Sequence, residues 1–307
     1  MLVIDKVSTM AARQVSRKGD AHTDAVWALA WISDVQFLSG SVDGNLKLWT
    51  VGDKDVVSGP KWVIEGEFPL GVVSIVTISE ELFAATSMDG CIRICSSADG
   101  KILRRINAGP VDCWSLCASD DGRFIASGTY TGAVNIWEVS TGALTETFNT
   151  NAGFGLSVAW RGQHVALGTK DGGVFQIDLE TKDVHAAKTK IHHLPVRSLA
   201  YSRDGLRLVT ASDDGTAAIL TSDGGEKVGV FKGHLSLVLG VATGVSSIAT
   251  ACADKKVRLW DPETKECLNT FEAHTGQAFC VAFNKSGTYL ASGGAGGDVQ
   301  LFALAKA

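Results

Sequence analysis

Short apolar stretches separated by polar, glycine-containing turns run along this chain with a long, regular period. In the first such unit, residues 25–31, 35–41 and 45–51 have the β-branched and aromatic content and the alternation of strands. The turn Val42-Asp43-Gly44 separates the last two, with Gly supplying the positive φ that a tight hairpin requires. The same turn-then-strand pattern recurs seven times, and an apolar strand end lies six positions after the first turn residue. The pairs are Asp43-Gly44 with Trp49, Asp89-Gly90 with Cys95, Thr131-Gly132 with Trp137 and Asp171-Gly172 with Ile177. Asp214-Gly215 with Leu220, Asp254-Lys255 with Trp260 and Gly296-Gly297 with Phe302 complete the set. Successive strand ends are 46, 42, 40, 43, 40 and 42 residues apart.

A period in the low forties, Asp-Gly hairpins and the dipeptide Trp260-Asp261 are the signature of WD repeats. The expected fold is therefore all-β: a seven-bladed WD-repeat β-propeller closed by an N-terminal strand in the last blade. Residues 1–307 form a single propeller on this reading, with a latch strand and lead-in at 1–21. The repeats then fall at about 22–64, 65–107, 108–150, 151–190, 191–232, 233–272 and 273–307. Hairpins at Asp121-Gly122, Asp204-Gly205 and Ser286-Gly287 join first to second strands, and Asp99-Gly100, Thr141-Gly142 and Gly224-Gly225 follow third strands. Small residues such as Ala126-Ser127-Gly128 suit second strands pressed between neighbouring blades. The last unit has only three strands, from 278 to 303, so a segment near 10–16 is the expected donor of the fourth, protecting an open edge.

Composition narrows the function classes. Two domains would be the usual expectation for 307 residues, but repeats bury their faces against neighbours and need no single large core. The net charge of −5 argues against a protein held mainly by nucleic-acid phosphates. Seven scattered cysteines, with no C-x-x-C, fit reduced packing residues of a cytosolic or nuclear protein and predict no metal. The start, Met1-Leu2-Val3-Ile4-Asp5-Lys6, is too soon charged for a secretory signal, and no apolar run reaches the roughly 20 residues of a membrane span. A soluble protein without cofactor is expected.

Two units carry a His, Ser or Thr, Asp and Trp at matching spacing: His22, Ser39, Asp43, Trp49 and His234, Thr250, Asp254, Trp260. A Ser-His-Asp trio invites a hydrolase reading. However, the set recurs in register with the repeat, which predicts self-satisfied structural tetrads and no catalytic residue. Other units are partial copies. His192, Thr210 and Asp214 lack the Trp, His274 and Ser292 lack an Asp at the matching place, and Thr131 replaces the Asp beside Ser127 and Trp137. Units two and four keep only Asp89 and Asp171 and are expected to rest more on apolar packing. The Gly-rich 293–297 stretch sits in a hairpin, and no phosphate-binding loop or nucleophile elbow is present.

Propeller geometry predicts that three positions per unit reach one rim. Five after the His place stand Trp27, Val73, Trp114, Leu156, Arg197, Leu239 and Phe279. Three after it stand Asp112, Phe154 and Leu237 among others, and one before the turn Asp stand Met88, Tyr130 and Asp213. The expected partner-binding residues are Trp27, Met88, Trp114, Tyr130, Phe154, Arg197, Asp213, Leu237 and Phe279. Aromatic residues, Met and Arg at one mouth have the composition of a protein-binding hot spot. Arg197 and Asp213 are expected to orient a peptide by charge. The competing reading makes Trp27 and Trp114 partly buried strand residues.

Four segments carry a closer likeness: Leu70-Gly71-Val72-Val73-Ser74, Ile106-Asn107-Ala108-Gly109-Pro110-Val111-Asp112-Cys113-Trp114, Pro195-Val196-Arg197-Ser198-Leu199 and Val209-Thr210-Ala211-Ser212-Asp213-Asp214-Gly215. With them the whole chain resembles the family of small WD-repeat subunits of the superkiller complex. It departs at Glu67-Phe68, where a Gly-His would stand, and in a longer N-terminus. The resemblance implies a non-catalytic scaffold that binds a tetratricopeptide-repeat subunit and helps assemble a helicase complex for exosome-dependent 3′→5′ mRNA decay. It also implies an association with the RNA polymerase II-associated factor complex, in transcription elongation and histone modification, hence cytoplasm and nucleus. A substrate receptor for a ubiquitin ligase is the alternative among propeller functions.

Overall fold

The structure, a computed structural model, describes residues 12–109, 113–187, 190–223 and 226–304. These form seven four-stranded antiparallel sheets, and no α-helix occurs among the described residues. Each sheet is one blade of a β-propeller. Blade one comprises Val26–Trp31, Gln36–Ser41, Leu46–Val51 and Val57–Ile64. The first strand of each blade packs against the first strand of the next, and that of blade one meets that of blade seven, which closes the ring.

Blade seven takes its three inner strands from Ala278–Phe283, Tyr289–Gly294 and Val299–Leu304. Its outer strand is Ala12–Lys18, paired antiparallel from Ala12 opposite Leu304 to Lys18 opposite Val299. Chain ends thus meet in one sheet, and the edge that a three-stranded blade would expose is covered. The described part of the donor strand overlaps the expected segment near 10–16 and runs two residues past it, with Val15 packed against the apolar layer between blades seven and one. Met10 itself lies outside the described residues, as do Asp112 and Gly224-Gly225.

Burial explains the composition of the strands. Second strands are flanked by strands within their sheet and by other blades on both faces, so they are buried almost throughout. Fourth strands lie at the rim and are mostly exposed: in Leu144–Asn149 only Phe148 is buried. Close approach selects glycine at the blade interfaces. A Cβ on Gly168 would stand 2.6 Å from Val196 Cγ1, and one on Gly293 2.6 Å from Val26 Cγ1, where those Val residues begin the next blade's first strand. Serine hydroxyls at or beside the first strands of blades two, three and five cross to the next blade. Ser74 Oγ accepts Leu116 N–H (3.1 Å), Ser115 Oγ accepts Val158 N–H (3.3 Å) and Ser198 Oγ accepts Val241 N–H (3.2 Å).

First strands share one irregularity that positions the channel mouth. In six blades the pairing of the first with the second strand skips one residue, as between Val26 and Ala28. The skipped residues are Trp27, Val73, Leu156, Arg197, Leu239 and Phe279. A bulge frees one side chain from the alternation of the strand and re-aims it. Here all six turn toward the channel.

Candidate functional sites: the polar tetrads and the channel mouth

The polar tetrad of blade one is a chain of donated protons. Trp49 Nε1–H donates to Ser39 Oγ (2.8 Å), Ser39 donates to His22 Nε2 (2.7 Å), and His22 Nδ1–H donates to Asp43 (3.1 Å). Asp43 also accepts the amides of Thr23 (3.0 Å) and Asn45 (2.9 Å), which pins the loop before the first strand to the turn. Blade six repeats it: Trp260 to Thr250 (2.8 Å), Thr250 to His234 (2.7 Å) and His234 to Asp254 (2.9 Å). Every donor in the chain is used only if the imidazole is neutral. Ser39 and Thr250 are fully buried, so the hydroxyl that a hydrolase would present to its substrate is enclosed by indole and imidazole.

Burial overrides the neighbouring carboxylate in setting the state of His22. Desolvation pushes its pKa from 6.5 to about 4 against the pull of Asp43, and it also lowers those of His192 and His234. For Asp43 burial acts upward, but the amides of Asn45 and Thr23 and the imidazole outweigh it and hold the carboxyl below its usual range. The unfolded chain therefore takes up protons at these histidines from about pH 6.5 downward, while the folded chain does so only lower. Stability is expected to fall as pH drops from 6.5 toward 4, by on the order of 3 kcal/mol for His22 alone. Urea midpoints across this range check it, and a His22→Gln variant should show a shallower fall. A flat profile would refute the buried neutral state.

The partial tetrads are completed by residues that spacing from the turn does not reveal. In blade seven the missing carboxylate is supplied by Asp298, two residues after Gly296: His274 Nδ1–H donates to it (3.0 Å), and Ser292 bonds His274 Nε2 (2.7 Å). The Gly-rich hairpin exists for this packing. A Cβ on Gly294 would overlap His274, and Gly297, at φ 73°, accepts His22 N–H (2.9 Å) across the closure. Blade two, expected to rest more on apolar packing, also has a polar anchor. Its buried Arg93 lies 4.8 Å over the ring of Phe68, which occupies the His place, and bonds Asp89 twice (2.5 and 3.2 Å). Arg258 likewise bonds the turn Asp254 in blade six (2.8 Å). The signal for these arginines is a polar residue four after the turn Asp, on the same strand face. In blade four, Asp171 is exposed and among the described residues accepts only the Thr169 hydroxyl (2.5 Å).

At the channel mouth, the seven residues five after the His place line one cavity of about 370 Å3: Trp27, Val73, Trp114, Leu156, Arg197, Leu239 and Phe279. Leu237 and Gln277 join them. Trp27 meets Phe279 edge to face, with ring centres 6.4 Å apart. On the far side Trp114 meets Phe154 at 6.0 Å, and Tyr130 meets Phe154 at 5.3 Å, so that five aromatic residues make two clusters. All are half-buried except Tyr130, which is 61% exposed. Met88 is half-buried and stands outside the cavity lining.

Arg197 and Asp213 do not present separate charges to a partner. Arg197 Nε and Nη2 hold both oxygens of Asp213 at 2.8–3.0 Å, a fork that spends each charge on the other. Leu194, Leu235 and Leu70 extend the apolar surface over the loops before the first strands of blades five, six and two, with Leu235 85% exposed. Leucines one or two after the His place, in otherwise polar loops, were the available signal for them.

Comparison with known proteins agrees with this geometry. The family described as "WD domain, G-beta repeat" matches residues 13–50, 100–138, 186–219, 225–261 and 265–302. Most of blades two and four falls in the two widest unmatched gaps, 51–99 and 139–185. The chain is similar to WD repeat-containing protein SL1-17 of Schistosoma mansoni, 31% identical over 202 residues, 63% of this chain and 65% of that protein. It is also similar to WD repeat-containing protein VIP3 of Arabidopsis thaliana, 29% identical over 206 residues, 60% of this chain and 62% of that protein. The chain thus spans less than two thirds of the length of these relatives. Among solved structures, the WD40 β-propeller domain of Doa1 superimposes with a TM-score of 0.81 at 20% identity, over 96% of this chain and 98% of that one, and shares the fold. A chain so matched, with its turns, tetrads and seven blades in register, belongs to the WD domain, G-beta repeat family.

Proposed function

We propose that this chain is a non-catalytic interaction scaffold that seats a protein segment in the cup at its channel mouth. The observation that carries the reading is the convergence of seven side chains, one from the same repeat position in each blade and three of them aromatic, into one cavity. Half-buried aromatic side chains lose little entropy on binding and bury large areas, which is how hot spots form. The ion pair of Arg197 and Asp213 leaves the cup close to neutral, so apolar and aromatic side chains of the partner supply the contact.

Within that function we favour membership of a superkiller-type assembly, with a tetratricopeptide-repeat scaffold and a helicase as partners in cytoplasmic 3′→5′ mRNA decay. Polymerase II-associated factor subunits are the proposed partners in the nucleus. What supports this choice is the likeness carried by residues 70–74, 106–114, 195–199 and 209–215, three of which run into the cup at Val73, Trp114 and Arg197. Gentle purification of the tagged chain from its own cells tests it. A helicase with a tetratricopeptide scaffold supports the assignment; a ligase adaptor in their place overturns it and leaves the scaffold reading standing. With the captured partner, Trp114→Ala is expected to weaken binding roughly 30-fold, about 2 kcal/mol, with an unchanged melting temperature. Unchanged affinity would remove Trp114 from the interface.

A further inference from the structure

The hairpins that join first to second strands face the opposite mouth of the channel. In blade five this hairpin carries Arg203 and Arg207, and both line a cleft of about 400 Å3 between blades five and six. Seven other described arginines each stand in an ion pair with an Asp or Glu. Arg203 and Arg207 have no such partner among the described residues. Arg203 instead crosses to blade seven, where Nη2 donates to Asn284 O (2.6 Å) and Nη1 to Lys285 O. Arg161 of blade four donates to the carbonyl of Arg203, so the hairpin is held from both sides.

These bonds fix the guanidinium and use two of its five N–H donors, leaving three without an acceptor among the described residues. Arg207 makes one long bond, to Leu206 O at 3.4 Å. Across the cleft, blade six contributes the hydroxyls of Ser246 and Ser247, neither of which bonds a protein group among the described residues. Burial pushes the Arg203 guanidinium below its usual range; the Asp34 carboxylate, too far off to form an ion pair, opposes the shift and the charge of Arg161 adds to it. Two carboxylates also line the cleft. Asp204 is turned into its own hairpin, where it accepts Ser202 Oγ–H (2.5 Å) and Leu206 N–H (2.9 Å), while Glu263 is exposed at the rim.

We propose that the cleft between blades five and six binds a phosphate-class oxyanion, gripped by Arg203 and Arg207 with the hydroxyls of Ser246 and Ser247. A planar guanidinium fork matches the paired oxygens of phosphate, and two of them on one wall favour a dianion over chloride. The site runs against the net charge of −5, so general attraction of anions to the molecule does not account for it. Glu263 repels the same ligand and holds the affinity down. The site lies on the face away from the aromatic cup and stands or falls independently of the scaffold reading.

Calorimetric titration of the whole chain with inorganic pyrophosphate, at constant ionic strength set by sodium chloride, tests it. Saturable binding is expected, weakened about tenfold or more in Arg207→Ala and strengthened in Glu263→Gln. Arg203→Ala should abolish binding, but it also cuts the contact to blade seven. Arg207→Ala is therefore the deciding variant, with circular dichroism confirming its fold. Arg105→Ala, whose guanidinium pairs with Glu67 in blade two, should bind as the native chain does. A phosphoserine peptide titrated in parallel separates a phosphorylated protein segment from a free polyphosphate as the source of the anion. Absence of binding at millimolar pyrophosphate, or equal affinity in Arg207→Ala and the native chain, overturns the proposal.

Discussion

Replacing Asp254 by Ala is expected to destabilise the chain by about 3 kcal/mol or more, a larger effect than at any other turn Asp. The carboxylate is almost fully buried and is shared by His234, Arg258 and the amides of Leu235 and Lys256. Removing it leaves a buried guanidinium without a counter-charge and an imidazole without an acceptor. It also frees the loop before the first strand of blade six. Asp89→Ala should cost less, about 2 kcal/mol, because it strands Arg93 but no His or indole. Asp171→Ala should cost under about 1 kcal/mol, since an exposed carboxylate loses a single hydroxyl partner. Urea titration of the three variants decides the order. Equal costs would mean that the carboxylates contribute only through their own turns, which all three share.

Deleting residues 1–18 is expected to lower the melting temperature by about 10 °C or more. The deletion removes a strand paired along six residues with Val299–Leu304 and exposes the edge that it covers. The strand is also read by polar groups. Gln14 bonds Gln300, which in turn bonds Asp298 (2.8 Å), and Arg17 approaches the same carboxylate at 3.6 Å. Ser16 Oγ accepts Val57 N–H of blade one (3.2 Å), tying the closing strand across the seam. In a ring built of repeats, loss of closure should spread: amide exchange is expected to rise in blades seven and one before it rises in blade four. An unchanged melting curve would show that the seven first strands hold the ring without the latch.

The turns were legible because each is a local device. Asp43-Gly44 and its equivalents carry their conformational demand in two residues, and the strand that follows has a fixed length. The tetrads of blades one and six were legible for the same reason, since all four members sit at fixed distances from one turn. Asp298 was not, because it replaces the turn Asp from two residues away and only the meeting with His274 shows that the two are equivalent. Arg93 was hidden in an apolar strand, where its partner is the carboxylate at the turn and its support is the ring of Phe68.

At the channel mouth the positions of Trp27 and Phe279 followed from the repeat, while the means of presenting them did not. Alternation within a strand would send a residue to a face of the blade; the bulge turns it to the channel, and a bulge depends on the pairing of two strands. Arg197 and Asp213 likewise look like two charges in the sequence and are one ion pair in the fold.

The amino-acid sequence by itself determined the number of blades, the strand order within each and the strand that closes the ring. These depend on turns and alternation within about forty residues, and every repeat states them again. Only the tertiary structure decided which polar groups satisfy one another, which side chains share a cavity and which arginines stand outside an ion pair. Those are distances between residues far apart in the chain, set by how seven separately encoded sheets pack around one axis.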